Sequence, residues 1–487
     1  MRWKRGDKLL NVKIIKENKA GFIGILLVLV LLVMTFYALF FIPSQTRLQW
    51  NNPLYWSDNP KVASPIWMNY FLKIFNQQLP EHKIFYQKDA TVDVIQETGF
   101  KMENYTFLYQ FNYNEFPTAF SIPYSIKVGP IPPVIEVYVK RPDNLDFKIY
   151  SNSLDSANNL NGNNDSNFST YNNSLTSNSS ALNNDYAFGR IYSSSSDVKS
   201  SLIDYSSLFN FSISDIPPEK IIFSKTDYNA PLKGKYEIKF SMSSFDNDTK
   251  INDLKLIIPG KVFGLLGTDE LRRDIFFGIL IGTPVDLFIG VTVALSSTFI
   301  GLFYGLIAGY KERKTGTIML TIIDVFLSLP IFILLIIISL HFGRNILFLM
   351  GLFILFGWPG LALLNRTFSI QIKNYQYVQA SKLMGESDLK IIFRHIVPQL
   401  LPFTLANFAL AVPAAILYES SLSFLGLGDP SFPTWGQMLQ DAHTASAEIL
   451  GYWWWLIPPG FMISLTSIAF ILIGRSFGKK AKINEIR

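Results

Sequence analysis

The sequence contains no cysteine and only four histidines in 487 residues. A disulfide framework, thiolate metal sites and a cysteine nucleophile are thereby excluded, and little imidazole is left for a zinc or haem centre. Charge is also scarce. Asp, Glu, Lys and Arg make up 16% of the chain against 49% hydrophobic residues, too little for an ordinary soluble protein of this length. No GxxxxGK[S/T] stretch occurs, so the phosphate cradle of a nucleotide hydrolase is missing. A net charge of +6 invites a nucleic-acid reading until the charges are placed. Residues 42–261 hold 20 basic and 22 acidic side chains, so the basic excess lies beside the apolar runs, where it reports topology and not nucleic acid.

What the chain does have is long apolar runs. Residues 21–42 carry no charge and would rise about 33 Å as a helix, enough for a hydrocarbon core of about 30 Å. The run is too long for a signal-peptide core and lacks a clean small-x-small site, so it reads as an uncleaved span. Five more runs follow at roughly 284–310, 315–340, 346–364, 400–420 and 452–473, which gives six spans. Lys and Arg cluster before the first span, after the second, after the fourth and after the sixth. The alternate loops are nearly bare, with only Arg344 between spans three and four. The positive-inside rule then places both termini in the cytoplasm and residues 43–273 outside a cell (plasma or inner) membrane.

The expected layout is a cytoplasmic segment 1–20, a span 21–42, an extracellular insert 43–273, a five-helix core 274–474 with a cytoplasmic loop 365–399, and a tail 475–487. Within the insert, aromatic and β-branched alternation at 105–113, 134–139, 221–224 and 236–242 predicts strands, hence a β-rich domain. Residues 151–200 are about half Ser or Asn and read as a mobile low-complexity loop without a site. Asp324 and Glu419 are ionisable groups in or at the end of apolar runs. Each is a candidate for the translocation path and equally for an interfacial or capping role. Pro330, Pro413 and Pro458-Pro459 predict helix kinks.

The loop after span four is the most informative. Asn374 is placed to cap a helix running through Met384, Gly385 to supply a left-handed C-terminal stop, Ser387 to cap a second helix, and Pro398 to restrict the chain as it re-enters the membrane. Tyr377, Ala380, Ser381 and Met384 share one face at helical spacing, a mixture of small and large side chains suited to close approach by a partner. Gln379-Ala380-Ser381 followed by Gly385, with Glu386 beyond it and then His395-Ile396-Val397-Pro398, resembles the EAA loop of binding-protein-dependent ABC importer permeases. Gln379 stands where that family has Glu. Gly267-Thr268-Asp269 with Arg273-Asp274, residues 301–310 (GLFYGLIAGY), and residues 419–428 (ESSLSFLGLG) with Trp435 resemble the C-type member of the permease pair in the dipeptide, oligopeptide and nickel group. Arg272, Pro284, Asp286 and Leu363 depart from that pattern.

The resemblance implies an α-helical polytopic membrane protein of the ABC importer type I permease fold, with six transmembrane helices and the β-rich extracellular insert between helices 1 and 2. It implies a transport subunit and not an enzyme. The ATPase-docking loop would comprise Tyr377, Gln379, Ala380, Ser381, Met384, Gly385, Glu386, His395 and Pro398. Asp269, Arg273, Asp274 and Trp435 would form an external gate or a contact with the binding protein, or else the first three are a local cap and salt bridge and Trp435 an interfacial tryptophan packed beside glycine turns. Implied partners are a second homologous permease, two ABC ATPase subunits, an extracellular peptide-binding protein and membrane lipid. The chain itself would hold no cofactor, with ATP and Mg on the ATPases. Two other readings stay open at this stage: a nickel importer permease of the same group, and a surface adhesin or receptor anchored by its spans.

Overall fold

The computed structural model describes residues 19–154, 186–209, 216–226, 230–246, 248–311 and 314–484. The central part of the predicted Ser/Asn-rich loop and the basic segment before the first span lie outside the described residues. The chain divides into two compact units, Asn52–Asp274 and the remainder.

Unit Asn52–Asp274 is built on two antiparallel sheets. Strands β1 (Lys83–Tyr86), β2 (Thr91–Glu97), β3 (Phe100–Phe111), β4 (Ser121–Lys127), β5 (Val134–Lys140), β6 (Asp146–Ser153), β7 (Tyr186–Tyr192), β8 (Gly234–Ser244) and β9 (Lys250–Ile258) pair in the orders β1-β9-β4-β7 and β2-β3-β8-β5-β6. Period-two alternation makes the core: Phe107, Tyr109 and Phe111 on β3 and Tyr236, Ile238 and Phe240 on β8 meet Ile122 and Ile126 on β4 and Leu254 and Leu256 on β9 in one buried cluster. Arg141 is 2% exposed within this core. Its guanidinium donates to Asp143 and to the carbonyls of Ile221 (3.2 Å) and Ser224 (2.7 Å), and it lies over the rings of Phe147 and Phe209, so the buried charge is paired.

Two expectations change here. Residues 221–224 are not a strand. The Pro217-Pro218 pair starts a short helix, Pro218–Phe223, whose Ile221, Ile222 and Phe223 enter the core. The Ser/Asn-rich stretch is also narrower than 151–200: Ser153 still belongs to β6, β7 starts at Tyr186, and Ser196–Ile203 is a helix capped by the Ser195 hydroxyl.

The other unit is helical: α1 (Lys19–Phe40), α2 (Ile275–Tyr310), α3 (Lys314–Ser328), α4 (Ile331–Phe342), α5 (Ile346–Gly357), α6 (Pro359–Lys373), α7 (Gln376–Leu383), α8 (Val397–Phe424), α9 (Trp435–Thr444) and α10 (Trp453–Asn484). Five helical stretches among the described residues are long and apolar enough to cross a membrane. A sixth is reached if α3 and α4, bent by 74°, count as one span. Pro330, without an N–H to donate, sits at that break. The second span begins earlier than the predicted 284, since α2 starts at Ile275 and runs through Pro284.

Helix α2 is the hub, packing on α1, α6 and α8. The glycines of its GLFYGLIAGY stretch explain how. A Cβ on Gly301, Gly305 or Gly309 would lie 2.9, 2.3 or 2.5 Å from the carbonyl oxygens of Trp358, Ala362 and Arg366. Glycine at every fourth position lets α6 lie against the bare backbone of α2.

Candidate functional site

The loop between α6 and α8 is anchored at both ends. Lys373 Nζ donates to the Tyr310 carbonyl at 2.7 Å, and the Tyr310 hydroxyl donates to Asp388 Oδ1 at 2.8 Å, so the end of α2 is tied to both sides of α7. Asn374 does not cap α7 as expected. Helix α6 runs through Lys373 and uses Asn374 as its own terminus, leaving Tyr375 at the extended N-cap position. Gly385 does take the left-handed stop, at φ +82°, with its N–H donating to Lys382 O (3.0 Å) and that of Glu386 to Ser381 O (3.2 Å). Ser387 occupies the expected N-cap position of Asp388–Ile391 without a side-chain cap bond.

The predicted four-residue face divides. Ser381 turns inward with Val378, donating to Tyr377 O at 3.1 Å and lying 3.4 Å from His395 Nε2. Tyr377, Gln379, Ala380 and Met384 stay exposed. Glu386 accepts from His395 Nε2 at 2.9 Å and pairs with Lys390 (3.3 Å) and Arg394 (3.5 Å). The hydrogen bond from His395, then that from Lys390, holds its carboxyl below the usual range. Gln399 donates to the Tyr377 hydroxyl. These bonds fasten α7 to the start of α8. Leu383 and Met384 are left projecting at 89% and 80% exposure, with Leu389 and Phe393 also exposed. Leu383 is the most exposed of the four in relative terms and was missed, because it lies one position off the predicted stripe. Pro398 does not break the chain. The wide turn at Ile392–Ile396 passes directly into α8 and accommodates the proline ring.

The other predicted residues fall elsewhere. In unit Asn52–Asp274, Asp269 Oδ1 accepts the Arg273 N–H at 2.8 Å and Oδ2 accepts the Arg273 guanidinium. With Asp274 they are 2, 4 and 8% exposed, a local i,i+4 pair closing a turn. Trp435, in the helical unit, is fully buried, and its backbone N–H donates to Asp286 Oδ2 at 2.9 Å. In this chain all four side chains are enclosed, and the Asp269–Arg273 pair has the local cap and salt-bridge arrangement that the sequence left open beside the gate reading. Asp324 is exposed on α3. Glu419 is 4% exposed, and its Oε1 accepts from Ser423 (2.7 Å) and Thr434 (2.8 Å). Asp286 and Glu419 thus both hold the 434–435 turn that starts α9. Asp286, an acid within an apolar run, carried the signal that would have singled it out.

Residues 301–481 match the binding-protein-dependent transport system inner membrane component. The chain is 40% identical over 218 residues to the dipeptide transport system permease protein of Bacillus subtilis, a match covering 45% of this chain and 68% of the relative. The chain belongs to this permease family. The oligopeptide transport system permease proteins of Bacillus subtilis and Haemophilus influenzae are each 34% identical, over 209 and 228 residues, covering 43 and 47% of this chain and 68 and 72% of the relatives. The α6–α8 loop lies within the family match, and unit Asn52–Asp274 lies outside it. The resemblance read from the loop is borne out: this is a multi-pass transport permease.

Proposed function

We propose that the chain is the C-type permease subunit of an ATP-driven importer of dipeptides or oligopeptides, supplying half of the translocation path. The observation that carries this reading is the α6–α8 loop, pinned to α2 and α8 while Leu383 and Met384 project unpartnered in this chain. A projecting apolar knob on a rigid base suits docking into a groove of an ABC ATPase. In this reading α3 and α4 form one broken span, six spans cross the membrane with both termini in the cytoplasm, and residues 43–273 lie outside. A second homologous permease, two ATPases that bind ATP and Mg, and an extracellular peptide-binding protein complete the assembly. Nucleotide-driven closure of the ATPases displaces α7. The ties from Lys373 and Asp388 to Tyr310 pass that displacement to α2, and through its glycine contacts to α6. Peptide is preferred to nickel because the relatives above are named as peptide permeases.

The test is mild-detergent affinity isolation of the full chain from its native membrane, with mass-spectrometric identification of partners, beside a Gly385→Arg variant. Recovery of an ATPase and a second permease with the wild type, and loss of the ATPase alone with the variant, is expected. Isolation without any ATPase, under conditions that preserve a control transporter, would overturn the reading in favour of a surface receptor.

A further inference from the structure

Unit Asn52–Asp274 contains a cavity of about 830 Å³, within the size range of small-molecule sites. Its floor is the face of the β1-β9-β4-β7 sheet turned away from the core. Ile122, Ile191, Leu254 and Leu256 occupy the core face, and the alternate positions put Phe188, Arg190 and Tyr192 of β7 beside Lys255 of β9 on the other. Segment 54–58 and Arg272 form the opposite wall.

The charges there do not cancel. Asp58 accepts from Arg190 and lies 3.8 Å from Lys255, which is also 3.8 Å from Asp253. Two carboxylates are thus matched by two cations, and Arg272 remains. Its Nη1 donates only to backbone carbonyls, Ser57 O at 2.8 Å and Asn59 O at 3.3 Å. Among the described residues its Nε and Nη2 have no hydrogen-bond partner. Burial disfavours its charge and outweighs the opposing pull of Tyr192 and Asp58, with the neighbouring Arg190 adding to the burial. Arg272 also holds φ at +66°, where glycine would sit without strain. A guanidinium half-buried on carbonyls and on a strained backbone thus has to share Asp58 with Arg190 and Lys255, and the wall carries one more cation than carboxylates. The matched Asp58 and Asp253 on the same wall disfavour a dianion.

We propose that this cavity binds the C-terminal carboxylate of a short peptide, with Arg272 taking the carboxylate on its free edge and Phe188 and Tyr192 covering the last apolar side chain. Arginine offers two parallel N–H donors to a carboxylate, and aromatic walls exclude water from that pair. The choice of a peptide rests on the proposed import function, but the site lies outside the family match and its binding is read without ATPase present, so the two readings fail separately.

The experiment titrates the full chain in lipid nanodiscs with N-acetyl-Ala-Ala-Phe, with the same peptide as its C-terminal amide, and with inorganic phosphate, by isothermal calorimetry. The acid is expected to bind at least ten-fold more tightly than the amide, and phosphate not to displace it. Arg272→Gly relaxes the backbone but removes the guanidinium and its bonds to the Ser57 and Asn59 carbonyls, so its folding is checked by circular dichroism, and the folded variant should lose at least ten-fold in affinity for the acid alone. Phe188→Ala should weaken both peptides. Equal affinity for acid and amide, displacement by phosphate at matched concentration, no binding of the acid, or unchanged binding in folded Arg272→Gly would each overturn the proposal. If the glycine variant does not fold, the acid-to-amide comparison on the wild type decides.

Discussion

Gly305→Ala tests the helix contact on which coupling through α2 depends. The added Cβ would lie 2.3 Å from the Ala362 carbonyl oxygen and 2.9 Å from the Asn365 Cβ. Neither neighbour is the free end of a flexible side chain, so α2 and α6 must part by about 1 Å to restore a normal contact. Overpacking of this kind costs about 1–3 kcal/mol, while alanine in place of a mid-helix glycine returns about 1 kcal/mol in helix propensity. The net expectation is destabilisation of about 0–2 kcal/mol. Gly351→Ala on α5 provides the control, because nothing lies within 4 Å of its Cβ position and only the propensity gain of about 1 kcal/mol operates. Thermal unfolding of the full chain in mild detergent, followed by tryptophan fluorescence, should place Gly305→Ala below wild type and Gly351→Ala at or above it. Because Tyr310 ends the same helix and is bonded to Asp388, Gly305→Ala should also reduce ATPase recovery in the affinity isolation. If Gly305→Ala melts with Gly351→Ala, the close approach of α2 and α6 is refuted, and with it the proposed route from loop to spans.

Three further outcomes are expected. Leu383→Asp, at a side chain 89% exposed, should leave the melting temperature within the equivalent of about 0.5 kcal/mol yet abolish ATPase recovery, and retention of the ATPase would remove Leu383 from the docking surface. Arg141→Met should destabilise the β-rich unit by about 3 kcal/mol, since it orphans the Ile221 and Ser224 carbonyls and leaves Asp143 without its cation, which accelerated hydrogen exchange in β5 and β6 would report. Burial, which outweighs the opposing pull of Asp58 and is aided to a smaller extent by Arg272, lowers His82 to about 4, so the unfolded chain binds the extra proton between about 6.5 and 4. The stabilisation from keeping His82 neutral is complete above about 6.5, falls as pH drops and is gone below about 4, a span worth on the order of 3 kcal/mol. Hydrogen exchange in β1 and β9 should follow that slope, and His82→Phe should flatten it. An unchanged slope in the variant would assign the acid sensitivity elsewhere.

Much of the helical unit was legible in the sequence because lipid imposes a simple demand. A span must be apolar for about 20 residues whatever it packs against, so the long runs and the flanking charges are visible one segment at a time. The left-handed Gly385 was equally readable, since a helix stop depends on local backbone geometry. Strands β3, β5 and β8 followed from alternation, but residues 221–224 did not, because a four-residue apolar run does not declare its period and the prolines before it favoured a helix.

The sites were only partly legible. Spacing brought Tyr377, Ala380, Ser381 and Met384 to one side of a helix, but spacing says nothing about where the supporting helix lies. The position of His395 drew Ser381 inward and left Leu383 outside. Asp269, Arg273 and Trp435 carried a recognisable pattern, yet their burial depends on chain segments far away in sequence, as does the meeting of Asp286 with the 434–435 turn. The cavity beside Arg272 was illegible for the same reason, assembled from residues near 55, 124, 190, 255 and 272. The sequence by itself determined the membrane character, the apolar runs and the loop motif, because each rests on interactions within one segment. Only the tertiary structure decided which side chains are enclosed, which charges meet and which are left without a partner, because those depend on long-range packing.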